Sequence, residues 1–243
     1  MDDREIFSTL VAIPPAILRL DGRAFHTLAA RLDLEKPYDI AFCRAMVEVC
    51  RQFIRDSGLN PVCAYTFSDE INLYITTLPF GGRVEKLDSV AAAFAASALT
   101  RILEPDEPLA FDARTIPAAD RIFARAYFAG RQQEAWRNHQ NAHCQHALQE
   151  EGRSPREAAR ILAGMKSAEM HEMMFARGVN LADTPAWQRR GVMVRTTPVE
   201  VEGYNPVTGE QVTAVRTRVA VDAGLPLFTS PEGEEYLTSL LGG

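Results

Sequence analysis

The sequence predicts an α+β fold whose first half follows the ferredoxin-like order β-α-β-β-α-β, with additional helices and a C-terminal β-hairpin arm. Three observations predict it. Short apolar runs alternate with helix-period segments as far as Ile116, the pattern turns helical from Pro117 onward, and β-branched alternation returns between Gly191 and Val221.

The first strand is Ala16–Leu20, and the chain leaves it through Asp21, Gly22 and Arg23 rather than through neutral turn residues. After a loop containing EKPYD, apolar positions at Phe42, Met46, Val49, Phe53 and Ile54 keep to one helical face. Two strands follow, VCAYTF and INLYITT, joined by Ser68, Asp69 and Glu70. GGRVEKLDSVAAAFAASALTRIL reads as an alanine-rich helix opened by Gly81 and Gly82 and ended near Pro105, and LAFDARTI is the fourth strand. A long helix begins near Pro117, and shorter ones are expected around SPREAARIL and AEMHEMMFARG. GYNPVTGEQ is the turn of the late hairpin, and the tail beyond it is expected to be peripheral.

Composition bounds the function classes. A chain of 243 residues with 47% hydrophobic and 24% charged residues can bury a full core, which excludes disordered and collagen-like classes. We expect one compact unit, residues 1–130 carrying the first domain and residues 131–243 packed on it as an extension. No apolar run is long enough to span a bilayer, and the start MDDREIF lacks a basic signal region, so no membrane partner and a cytoplasmic location are expected. Cys43, Cys50, Cys63 and Cys144 form no CxxC pair and read as buried thiols. A formal charge of -6 argues against a protein that coats nucleic acid through many cationic contacts, although a local basic groove remains compatible. Lys36, Lys86 and Lys166 are the only lysines, so arginine supplies nearly all the positive charge.

The predicted topology brings two acids together. In this order of elements the first strand lies beside the third and parallel to the second, so the end of strand one and the hairpin between strands two and three share one sheet edge. Asp21 and Asp69 occupy those places. Side by side they repel unless cations neutralise them, which makes them candidate magnesium ligands. Two such ions about 4 Å apart serve phosphoryl and nucleotidyl transfer. Gly22, without a Cβ, would let its backbone approach phosphate or metal, and Arg23, Lys36, Arg83 and Lys86 are candidate triphosphate clamps, the last two at a glycine-led helix start. Each acid taken alone reads equally as an ordinary turn. His139, His143 and His146 stand at helical spacing, but a solvated helix face explains them better than zinc.

These residues resemble the tRNA-histidine guanylyltransferase family, in its guanylyltransferase-like branch. RLDGRAFH, EKPYD, FSDEINL, GGRVEK, FDAR, RQQEAWRNHQN, HEMMF and WQRRG carry the resemblance, in that order, from Arg19 to Gly191. It implies a palm domain that adds nucleotides in the 3′-to-5′ direction to the 5′ end of tRNA, as a homodimer or homotetramer. Asp21, the Gly22 carbonyl and Asp69 would hold two magnesium ions, and Glu70 would complete the catalytic acidic motif. Asp21, Gly22, Arg23, Ala24, Phe25, His26 and Ser68 would contact ATP, GTP or another nucleoside triphosphate, with Lys36 near phosphate. Arg131, Arg137, Asn138, Arg189 and Arg190 would face tRNA. Where eukaryotic members carry His-Ile-Asn-Asn, this chain has Trp136-Arg137-Asn138-His139, which resembles the branch that repairs truncated 5′ ends by template-directed addition. Gly130 stands where a tryptophan is expected. Dedicated addition of G-1 to tRNA-His is the nearest alternative; a palm-type cyclase and a non-catalytic RNA-binding module are remoter ones.

Overall fold

The structure is a computed structural model and describes residues 5–204, 207, 209 and 211–242. The acidic residues of 1–4, and Asn205, Pro206, Thr208 and Glu210 of the expected hairpin turn, lie outside the described residues.

The elements run β1 (Ala16–Gly22), α1 (Phe25–Arg31), α2 (Ile40–Asp56), β2 (Cys63–Phe67), β3 (Glu70–Ile75), α3 (Val84–Leu103), β4 (Phe111–Pro117), α4 (Arg121–Glu150), α5 (Pro155–Leu162), α6 (Ser167–Phe175), α7 (Ala186–Arg190), β5 (Val192–Tyr204), β6 (Gln211–Asp222) and α8 (Pro231–Leu241). The sheet order is β4-β1-β3-β2-β5-β6, with every neighbouring pair antiparallel. Its first four strands have the expected ferredoxin-like order. The late hairpin joins the same sheet, since Val192–Arg195 pair with β2, while the outer part of β5 pairs only with β6.

Both faces of the central strands are covered, which is why their sequences read as nearly continuous apolar runs. On one face Leu18, Leu20, Ile71 and Leu73 meet Met46, Val49 and Phe53 of α2 and Leu87, Ala91 and Leu99 of α3. The alanines at that helical spacing let α3 lie close to the strands. On the other face Ile17, Tyr65, Tyr74 and Met193 meet Ala124, Phe128 and Ala135 of α4 together with Leu237 and Leu241 of α8. The tail is therefore a core helix and not a peripheral one. Gly233 marks how tightly it docks: a Cβ there would lie 2.0 Å from the Leu227 carbonyl oxygen.

A third cluster stands apart from the sheet, where Cys144 and Leu148 of α4 pack with Ala158, Leu162, Met170 and Met174. The N-terminus of α4 is capped by Asp120, whose carboxylate accepts the Phe123 amide at 2.7 Å. Two short helices were not legible in the sequence. α1 begins at Ala24 in the left-handed region with no side-chain cap, and α7 has five residues, too few for a periodicity to register. Among the described residues no helix is long and apolar enough to cross a membrane. All four cysteines are free, and burial pushes the Cys43 thiol up to about 11 and that of Cys63 up to about 12.

Candidate functional site

β1 runs two residues further than its apolar alternation suggests, so Asp21 is still in register, opposite Glu70 on β3 and Asp112 on β4. Asp69 lies in the two-residue turn between β2 and β3. Ser68 closes that turn at φ 50°, a left-handed conformation uncommon for a residue with a Cβ, and its hydroxyl donates to Asp69 Oδ1 at 3.0 Å. The Gly22 amide donates to the Asp69 carbonyl at 3.2 Å, tying the strand end to the turn. Burial pushes the Asp69 carboxyl up from its usual range, and the negative charges of Asp21 and Glu70 add to that push against the Ser68 hydrogen bond.

Glu70 has a different environment. Its carboxylate accepts Arg131 Nε at 2.8 Å and Nη2 at 2.5 Å, and Asn72 Nδ2 at 2.8 Å. Asn72 in turn accepts the Tyr127 hydroxyl at 2.7 Å, and the Arg131 guanidinium lies 5.5 Å over the Phe67 ring. Arg131 thus points inward from α4, with its side chain 19% exposed and its guanidinium engaged by Glu70 rather than standing free for the expected tRNA contact. An arginine fork finds its best partner in a buried carboxylate, and the two lie 61 residues apart with no local pattern joining them.

A cavity of about 590 Å³ opens beside the turn. It gathers Gly22, Ala24, Phe25, His26, Lys36, Ser68, Asp69 and Asn138 from the expected residues. The Phe25 ring also packs 5.2 Å from that of Phe111 and 6.0 Å from that of Phe42, which makes it a floor as much as a wall. It explains Gly22 as well: a Cβ there would lie 2.4 Å from the Phe25 ring, so the missing side chain makes room for an aromatic residue. This packing reason stands beside the expected one, close approach of the Gly22 backbone to phosphate or metal.

Several expected residues are elsewhere. Arg83 and Lys86 stand at the start of α3, and β3 has by then carried the chain to the opposite sheet end, where Ile75 pairs with Ala16. Within one chain they do not reach the carboxylates, because the six residues of β3 that intervene span about 20 Å. Arg23 is exposed and lies outside the cavity lining. Arg137 is exposed and ion-paired with Glu134. Arg189 donates to the Thr184 carbonyl at 2.8 Å and Arg190 to the Leu225 carbonyl at 2.7 Å, so each also ties a loop in place.

His139 and His143 also depart from the expected solvated face. His139 is fully buried, stacked on Trp136 at 5.4 Å, with the His143 ring edge-on at 4.5 Å and Tyr38 against both. Burial and the neighbouring His143 push the His139 imidazole down to about 3, so it stays neutral. The aromatic partners Tyr38 and Trp187, and the amides Asn141 and Gln145, line the cavity and were missed. The amides share the helical face of Asn138, and that spacing was the available signal.

Among the described residues no group of three or more His, Cys, Asp or Glu side chains converges as a metal cage. Two adjacent carboxylates with a third tied off by arginine suit an ion that keeps water or substrate phosphate in its remaining positions. The raised Asp69 carboxyl fits that reading, because a divalent cation would relieve the crowded charge.

Residues 1–119 match the family model described as tRNAHis guanylyltransferase. The chain is 27% identical over 212 residues to tRNA(His) guanylyltransferase 1 of Arabidopsis thaliana, covering 83% of this chain but 37% of that protein. It is also 27% identical over 237 residues to the probable tRNA(His) guanylyltransferase of Bos taurus, covering 90% of this chain and 78% of that one. Among solved structures, a bacterial tRNA(His) guanylyltransferase-like protein in complex with ATP has the same fold, with a TM-score of 0.71 at 24% identity over 96% of this chain and 93% of that chain.

Proposed function

We propose that this chain is a nucleotidyltransferase of the tRNA(His) guanylyltransferase family, whose model its residues 1–119 match, and that it adds nucleotides in the 3′-to-5′ direction to the 5′ end of tRNA. The observation that carries the reading is the convergence of Asp21 and Asp69 beside the cavity. Asp21, Asp69 and the Gly22 carbonyl would hold magnesium, which supplies charge neutralisation at the transferring phosphate when bound.

The cavity is of the size that small-molecule sites commonly have, and its lining suits a nucleoside triphosphate. Phe25, Phe42 and Met46 offer apolar surface to a base, and Lys36 offers charge to phosphate. A 5′-monophosphate end would first attack the α-phosphorus of ATP, taking up the AMP group as pyrophosphate leaves. The 3′-hydroxyl of the incoming nucleotide would then attack that phosphorus, forming the new phosphodiester as AMP leaves. At a 5′-triphosphate end pyrophosphate would leave instead. The residues around the cavity would hold the reacting ends in line, and that placement would contribute to the acceleration.

Repair of a truncated 5′ end is the finer reading, favoured by Trp136-Arg137-Asn138-His139. Pairing with the facing 3′ strand would position the incoming nucleotide without protein contacts that read the base. A competition in one tube tests it, with a tRNA lacking its first 5′ nucleotide and intact tRNA-His, ATP, all four ribonucleotides and magnesium. Extension of the truncated tRNA by the complementary base, in preference to G addition on tRNA-His, is expected. G added whatever base it faces would reverse the reading in favour of dedicated guanylyl transfer.

A further inference from the structure

We propose that Arg131 is a positioning residue, which neutralises and immobilises Glu70 so that only Asp21 and Asp69 of the acidic cluster are left to hold the cation. This rests on the reading of Asp21 and Asp69 as cation ligands. Four carboxylates lie at this sheet edge: Asp21 stands in register between Glu70 and Asp112, Asp69 immediately precedes Glu70, and Asp112 is already ion-paired with Arg114. Left alone, adjacent negative charges would repel one another or take a cation in several competing arrangements.

The geometry separates them by role. Glu70 spends its acceptor capacity on the two-pronged Arg131 fork and the Asn72 amide, and its side chain is 9% exposed. Both partners are fixed in turn. Asn72 is fully buried and accepts the Tyr127 hydroxyl, so α4 grips β3 at two points one helical turn apart. Phe67, the last residue of β2, lies beneath the guanidinium and pairs with Glu70 across the hairpin. The fork therefore clamps both strands that flank the Ser68–Asp69 turn. A fixed fork of this kind cannot be replaced by the single ammonium of lysine.

A double-mutant cycle tests this with Arg131→Met, Glu70→Gln and the double variant, each read for nucleotide addition, tRNA affinity and Mn²⁺ binding by electron paramagnetic resonance. Asp69→Asn reports on the underlying cation site, and Arg131→Lys stands in if Arg131→Met fails to fold. Either Arg131 variant leaves an anion poorly compensated beside Asp69, and its turnover should fall by roughly a hundred-fold with tRNA affinity unchanged. Removing the carboxylate as well should recover roughly ten-fold or more of that loss, because the two residues act as one unit. Mn²⁺ affinity of the double variant should match that of the parent, whereas Asp69→Asn should lose it.

A double variant that neither turns over nor binds Mn²⁺ would make Glu70 a ligand and overturn the proposal. So would loss of tRNA affinity in the Arg131 variant without rescue by Glu70→Gln, which would return Arg131 to RNA contact. Parent-like Mn²⁺ binding and turnover in Asp69→Asn would instead remove the cation site itself, and this proposal with it.

Discussion

The Gly22 amide donates to the Asp69 carbonyl at 3.2 Å, so the strand end bearing one carboxylate is hydrogen-bonded to the turn bearing the other. The two acids are thereby held as a pair by backbone, independently of anything bound between them. Replacing either side chain should remove chemistry while leaving the scaffold. We expect Asp21→Asn and Asp69→Asn to lower nucleotide addition by roughly a thousand-fold or more, about 4 kcal/mol of barrier, with tRNA affinity in a filter-binding assay largely kept.

The same crowding gives Asp69 an opposite effect on stability. Its carboxyl is pushed up by burial and by two like charges, so the ionised form is disfavoured in the folded chain at neutral pH. Asp69→Asn should therefore raise the melting temperature without added cation, by on the order of one or two degrees. Magnesium should raise the melting temperature of the parent more than that of the variant. A calorimetric scan of both, with and without the ion, checks it.

Gly22→Ala tests the Phe25 floor. The new methyl would lie 2.4 Å from a ring that also packs on Phe42 and Phe111, so it can enter only by displacing a buried aromatic group. Overpacking of this kind costs about 1–3 kcal/mol. Chemical denaturation should show that loss, and the affinity for ATP should weaken with it because the same ring lines the cavity.

His139 makes stability depend on acid. Its imidazole is held down to about 3 against an ordinary 6.5, so between those values the unfolded chain takes up a proton that the folded chain refuses. The contribution is complete above pH 6.5 and is lost as pH falls toward 3, by up to about 1.4 kcal/mol per pH unit. His143 shifts in the same direction, and Asp69 in the opposite one. Subtracting the stability profile of His139→Phe from that of the parent isolates the slope, which should be positive with pH over that window.

The tail helix supplies the last prediction. Leu237 is 1% exposed between α4 and the sheet, so Leu237→Ala should cost about 2–5 kcal/mol in a urea melt. A peripheral tail would tolerate the change with no measurable loss.

What the sequence made legible follows from the range of the physics involved. The meeting of Asp21 with Asp69 was readable because strand order alone brings those chain positions together, whatever the side chains around them. Arg83 and Lys86 lie away from the carboxylates although their neighbourhood, a glycine-led helix start, has the local features of an anion site. The length of β3 takes them to the far edge, and counting its residues would have shown it. The Arg131–Glu70 pair was beyond reach, since a contact across 61 residues leaves no period. His139 and the tail were readable in part: Trp136 three residues before His139, and Leu237 four before Leu241, are the spacings of buried faces.

α4 enters both the core beneath the sheet and the separate cluster with α5 and α6, in one helix of 30 residues, about 45 Å long. It therefore behaves as a splint with one end set in the catalytic half and the other in an outlying bundle. Among the described residues that bundle has no strand of the sheet in its core, so opening it as a separate cooperative unit should cost less than global unfolding. Hydrogen exchange would then show α5 and α6 fluctuating together while Tyr127 and Arg131, on the anchored end, keep β3 and its carboxylates still.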